Sequence, residues 1–362
     1  MSRKEDFLIK NELVSLTTLR GVAVLWVAIY HYKVFLREYS IDLNIFSKIA
    51  EIGYLGVDFF FILSGFIISY VYGGVLSKPG KESIFRFLGF RLARIYPLHV
   101  AVLLICLLLA YVFKIDLNTN VSLKSLILNL LNIHGWGLVH YTSWNEPSWS
   151  ISVEWFIYLI FPVLIILVSR VRGTISNIFL ILALAVGMFF YFKTNGFQTM
   201  NLYVYSTLAR GIWEFVVGMC LFNIYKNKIY NSIIFDFLFL FNLLALVLTI
   251  LLFKPFLLRD FICILILSSL ILCVVQSSLF VKNVLSVTFL YKLGKISYSI
   301  YMIHWLCLSI LTIFIKNSFL LDKILILFVY FISTISLACV LYHKIEVPSR
   351  YYFREKFVRN KV

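Results

Sequence analysis

The sequence predicts an all-α polytopic membrane protein with about ten transmembrane helices, and three observations lead there. The chain is too apolar for a soluble domain. Of its 362 residues 62% are hydrophobic and 14% charged, and the mean hydropathy is +0.94; a soluble fold of this size has too little interior to hide that surface. Apolar runs near the 20-residue length that crosses a bilayer recur ten times. The basic residues divide unevenly between the two sides those runs define.

In chain order the runs fall near residues 18–36, 54–74, 97–114, 148–168, 175–192, 202–224, 234–252, 260–280, 297–315 and 323–343, within one domain spanning 1–362. The first holds Arg20 and His31 and lacks a small-residue cleavage site, so it reads as a span and not a signal peptide. With the N-terminus inside, twenty-two Lys and Arg lie in inside segments and ten in outside segments. That asymmetry predicts both termini in the cytoplasm and the loop at 115–147 outside. The net charge of +16 is thereby mostly topology and does not point to nucleic acid. Within the outside loop, VSLKSLILNLLNI has the pattern of a short interfacial helix. The six cysteines all fall in apolar runs, without zinc-ligand spacing, and read as small fillers.

Ionisable residues inside spans carry the functional signal, because burying them in a bilayer is costly. Arg20 and His31 are eleven residues apart, almost three helical turns and about 16 Å of rise, so they share a face at different depths. A guanidinium near the water and an imidazole deeper on the same face suit a long anionic ligand whose reactive end lies far from its charges. An acyl-coenzyme A has that shape. Asp58, in the second span beside Ser64 and Gly65, reads either as a structural acid paired with an Arg or His, or as the group that orients His31. Arg91 and Arg94 stand one turn apart before Pro97. They form either a phosphate clamp, for which the Arg fork is suited, or a pair contacting lipid headgroups.

At the start of span four, Asn145, Ser148, Trp149 and Ser150 cluster with Glu154, which shares a face with Ser150. Trp149 and Trp155 are also explained as belt aromatics, whereas Glu154 inside the apolar run is not so easily placed. Arg210 and Glu214 at i and i+4 read as a structural ion pair, and His304 in span nine as a satisfied hydrogen-bonding group. Glu346, Pro348 and Arg350 look like a helix stop with an ion-paired tail.

The order of six segments adds a resemblance. LRGVAVLWVAIYH, GVDFFFILSGFI, RLARIYPLH, PSWSISVEWFIYLIFP, ISYSIYMIHW and IEVPSR, across residues 15–350, resemble the acyltransferase-3 family of bacterial membrane O-acyltransferases. Members modify lipopolysaccharide O-antigens, capsules, peptidoglycan, Nod factors and some macrolides. The chain is similar to the stand-alone type, without an appended esterase-like domain. The resemblance implies acetyl-CoA or another acyl-CoA as co-substrate from the cytoplasm, no metal, and a glycan or lipid-linked glycan acceptor. It also implies a multi-pass protein of the bacterial inner membrane. Carried over by residue, the family's Arg–His motif is Arg20 and His31, its Arg-x-x-Arg pair is Arg91 and Arg94, and its Ser-Trp-Ser…Glu signature is Ser148, Trp149, Ser150 and Glu154. On this reading His31, Asp58 and Glu154 serve chemistry, Arg20, Arg91 and Arg94 hold the donor, and Asn145, Ser148, Trp149 and Ser150 meet the acceptor. A small-molecule acceptor such as a macrolide, and a non-enzymatic proton-coupled transporter or flippase, are the alternatives.

Overall fold

A computed structural model describes residues 14–35, 45–77, 80–201, 206–227, 232–316 and 323–359. The basic residues Arg3, Lys4, Lys10, Arg37, Lys78, Lys228 and Lys361 lie outside these stretches. The described chain is mostly helical and among the described residues no strand is formed, as a bilayer demands of a spanning backbone that must satisfy its own hydrogen bonds. We number the helices in order: α1 Val14–Phe35, α2 Ile45–Glu51, α3 Leu55–Leu76, α4 Lys81–Leu107, α5 Leu123–Leu130, α6 Trp149–Val168, α7 Thr174–Thr194 and α8 Thr207–Lys226. There follow α9 Ser232–Leu252, α10 Leu257–Gln276, α11 Leu279–Val284, α12 Thr288–Lys295, α13 Ser297–Lys316, α14 Lys323–Leu341 and α15 Val347–Arg359. Among the described residues nine helices are long and apolar enough to cross a membrane, and ten if the pair α12 and α13, bent by 76°, counts as one span.

Two of the expected elements differ from the sequence reading, and a third, the short helix of the outside loop, forms as expected. Span three starts sixteen residues earlier than expected, at Lys81, so Arg91, Arg94 and Pro97 are inside α4 and not at its entrance. Glu346 and Arg350 pair as expected, but the helix does not stop there. A π turn at Tyr342–Glu346 carries it into α15, with Pro348 in the turn that follows. The stretch at 121–133 forms α5, capped by Ser122, which accepts from the Ser125 amide at 3.3 Å.

Small residues set the centre of the bundle. A Cβ on Gly218 of α8 would sit 1.9 Å from the Ile62 carbonyl oxygen of α3, and one on Gly65 would sit 2.0 Å from that of Phe215. The two backbones therefore touch, the close approach that small residues permit between membrane helices. On the other side α12 lies against α1, with Gly294 directly over Thr17. α7 and α9 are peripheral: Phe179, Leu182 and Val186 of the former, and Phe237, Phe241 and Leu244 of the latter, face outward as lipid-contacting side chains would.

The 115–147 segment folds over the end of the bundle where α1 finishes. It is pinned by buried polar bonds, which must be satisfied where water is excluded. Asn129 Nδ2 donates to Ser143 Oγ at 2.9 Å, Trp144 Nε1 to Ser125 Oγ at 2.9 Å, Ser152 Oγ to the Asn132 carbonyl at 2.8 Å, and Thr207 Oγ1 to that of Gly135 at 2.8 Å.

Candidate active site

Arg20, Arg91 and Arg94, from α1 and α4, converge on one cavity with Glu154 and Tyr158 of α6, Ser64 of α3 and Tyr301 of α13. It holds about 850 Å3 of empty space, counting its open mouth. It lies towards the end of the bundle at which α1, α4 and α13 begin. Arg20 Nη2 donates to Ser297 Oγ at 3.0 Å, and Tyr298 OH to the Ile95 carbonyl at 2.5 Å, locking those three helices together there.

The guanidiniums are held differently. Arg91 Nη2 donates to Tyr72 OH at 2.9 Å, and its charge lies 5.0 Å from the Tyr72 ring centroid and 5.9 Å from that of Tyr158. Its Nε is buried with no hydrogen-bond partner among the described residues. Glu154 Oε1 accepts from Ser64 Oγ at 3.1 Å and from Tyr158 OH. One carboxylate against three guanidiniums leaves the cavity positive, with a buried donor to spare. An oxyanion-rich ligand supplies what is missing. These arginines line a cavity and do not face lipid.

His31 lies deeper, outside that cavity, and is 5% exposed. Its Nδ1 is 3.1 Å from the Val27 carbonyl oxygen and 3.1 Å from Nε2 of His304, whose own Nδ1 lies 3.2 Å from the Ile300 carbonyl. Nε2 of His31 is buried without a partner among the described residues. Tyr301 joins the two regions. It lines the arginine cavity, its ring is 5.7 Å from that of His304, and its hydroxyl is 2.7 Å from Ser150 Oγ.

One of the two readings of Asp58, as the group that orients His31, is corrected by these contacts, and the other, an acid paired with an arginine, is met. Asp58 does not touch His31. It is fully buried and takes two hydrogen bonds from Arg210, Nε to Oδ1 at 2.8 Å and Nη2 to Oδ2 at 2.5 Å, while Glu214 stands 3.6 Å from Arg210 Nε. A buried acid is held by whichever cation the packing supplies, and here that cation comes from α8. Of the four residues expected to meet an acceptor, Ser150 lines the cavity and the other three do not. Asn145 Nδ2 donates to the Met302 carbonyl at 2.9 Å, and Ser148 Oγ to the Asn145 carbonyl at 2.6 Å, also meeting His134 Nε2 at 3.0 Å. They brace the start of α6. Burial, with the stacked His99 ring adding to it, pushes His134 down to about 3 and so keeps it neutral. Trp149 packs on Phe61, with the Arg210 charge 5.6 Å from its ring centroid.

The family model of the acyltransferase domain known as acyltransferase-3 matches residues 13–343. The chain belongs to that family. All the groups just described, from Arg20 to His304, lie inside the matched acyltransferase domain. Acyltransferase MdmB of Streptomyces mycarofaciens is 32% identical over 166 residues, covering 44% of this chain and 41% of that protein. A Staphylococcus aureus (strain COL) protein provisionally named an O-acetyltransferase is 27% identical over 371 residues, 92% of this chain and 56% of its own length. O-acetyltransferase OatA of S. aureus (strain NCTC 8325) is 27% identical over 203 residues, 51% of this chain and 30% of its own. The chain spans about half the length, or less, of the curated relatives it matches. No solved structure matches it significantly. Tyr72, Tyr158, Tyr301 and His304 were not singled out as site residues by sequence, although Tyr301 and His304 fall within one of the shared segments.

Proposed function

We propose that this acyltransferase-3 protein is a membrane O-acyltransferase that moves an acyl group, acetyl in the first instance, from cytoplasmic acyl-CoA to a hydroxyl of a cell-surface glycan such as an O-antigen or capsule. The observation that carries this reading is the convergence of Arg20, Arg91 and Arg94 on one positive cavity, with His31 about 16 Å further along the helix that bears Arg20. Phosphates of the donor bind the three guanidiniums by charge-assisted bonds. The pantetheine arm runs past Phe60 and Tyr301 towards His31. An acceptor hydroxyl reaches His31 from the other end of the bundle, loses its proton to the imidazole and attacks the thioester carbonyl, releasing the CoA thiolate. O-acetyltransferase names among the relatives support the acyl class. The protein would sit in the bacterial inner membrane with both termini cytoplasmic.

Mass spectrometry of surface glycans from cells with and without the gene tests the acceptor class. Loss of an acyl mass increment from a glycan, restored by the gene on a plasmid, is expected. Unchanged glycans alongside loss of an acylated small molecule would replace this acceptor.

A further inference from the structure

The contacts around His31 fix more than its position. Each ring of the pair has Nδ1 against the backbone carbonyl four residues earlier in its own helix, Val27 for His31 and Ile300 for His304. A carbonyl oxygen only accepts, so each Nδ1 carries the hydrogen, and each neutral ring keeps its lone pair on Nε2. The reverse tautomers would press two ring lone pairs against two carbonyls. With both protons placed, His31 Nδ1–H points at His304 Nε2 across 3.1 Å, donor to acceptor. The Val27 carbonyl, which also accepts the helical amide of residue 31 on its other lone pair, and the lone pair of His304 Nε2 share that hydrogen at equal distance. What remains is His31 Nε2, buried and without a partner among the described residues.

We infer that His304 is the positioning partner of His31: it accepts the Nδ1–H, holds the ring in the tautomer whose Nε2 is the open base, and supports the imidazolium once that base is protonated. This rests on His31 acting as base in the proposed reaction. In that step the acceptor O–H proton moves to His31 Nε2, the new C–O bond forms, and the C–S bond breaks with its electron pair going to sulfur. The proton on Nε2 then returns to the thiolate, and His304 keeps its own proton throughout. A neutral acceptor beside a ring that becomes cationic lowers the cost of that charge in a site with little water. The α13 histidine thus has a role in the chemistry, although 273 residues separate it from its partner.

The test uses the purified full chain in detergent, with acetyl-CoA as donor, water as surrogate acceptor and CoA release as the rate. His304→Leu removes the acceptor, and His304→Gln offers a carbonyl oxygen near the position of Nε2. His304→Leu should lower kcat by about 10- to 100-fold, part of the 10²–10⁴ that a positioned base contributes, with KM for acetyl-CoA unchanged. His304→Gln should recover most of that loss at equal thermal stability. In a cycle with His31→Ala, the His304→Leu change should cost nothing further. Equal rates for the Leu and Gln variants, or a full additional loss in the His31→Ala background, would overturn the partnership while leaving His31 as base. A fully active His31→Ala would instead remove the base and this inference with it.

Discussion

Asp58 and Arg210, 152 residues apart, are joined by two hydrogen bonds at the centre of the bundle, and both side chains are closed to solvent. The pair ties α3 to α8 at the same contact where Gly65 and Gly218 let the backbones meet. Asp58 is therefore a structural tie between helices. Asp58→Ala should leave a buried guanidinium whose nearest remaining carboxylate is the more distant Glu214, and breaking such a pair typically costs about 3–5 kcal/mol. Thermal unfolding followed by tryptophan fluorescence should show a large fall in Tm, with partial recovery in Asp58→Ala/Arg210→Leu. An unchanged Tm in the single variant would refute the tie.

The glycine contact is separately testable. Gly218→Val should lower the yield of monodisperse protein sharply, because any Cβ there would meet the Ile62 carbonyl at 1.9 Å and backbone must move. Gly74→Val, on α3 where a Cβ meets nothing within 4 Å, is the control and should behave as wild type in gel filtration.

Donor binding should depend on the arginine pair. Arg94→Ala and Arg91→Ala should each weaken acetyl-CoA binding by about 1.5–3 kcal/mol, roughly 10- to 150-fold, through loss of a charge-assisted phosphate contact. Titration of acetyl-CoA into each purified variant reads this directly. Wild-type affinity in both would leave the cavity without its proposed ligand.

The orientation is open to labelling. A cysteine at Leu138, an exposed position in the 115–147 segment, should react with a membrane-impermeant thiol reagent added outside intact cells. One at Ser77, at the far end of α3, should react after lysis only. The opposite pattern would reverse the topology.

The spans and the arginines were legible in the sequence because both signals are local. Twenty apolar residues report a crossing, and Arg91 and Arg94 share a helix face by spacing alone. Pairing across the bundle was not. An intramembrane acid such as Asp58 must find a cation, but the sequence holds several, and α8 supplies Arg210 only once the glycines of α3 and α8 have met. His304 reads as a lone histidine until α13 packs on α1. Asn145 and Ser148 sit in a recognisable motif, and their side chains turn out to brace the corner where α6 begins. Motif membership marked the region without saying which atoms face the cavity.

The most direct measurement sets binding against turnover in one variant. Purified His31→Ala should bind acetyl-CoA with an affinity like that of the wild type, because the phosphates are held about three turns away, yet release CoA about 10²–10⁴ times more slowly. Near-normal CoA release by folded His31→Ala would contradict the assignment of the base, and with it the reading of this bundle as a cavity for the donor joined to a histidine for the chemistry.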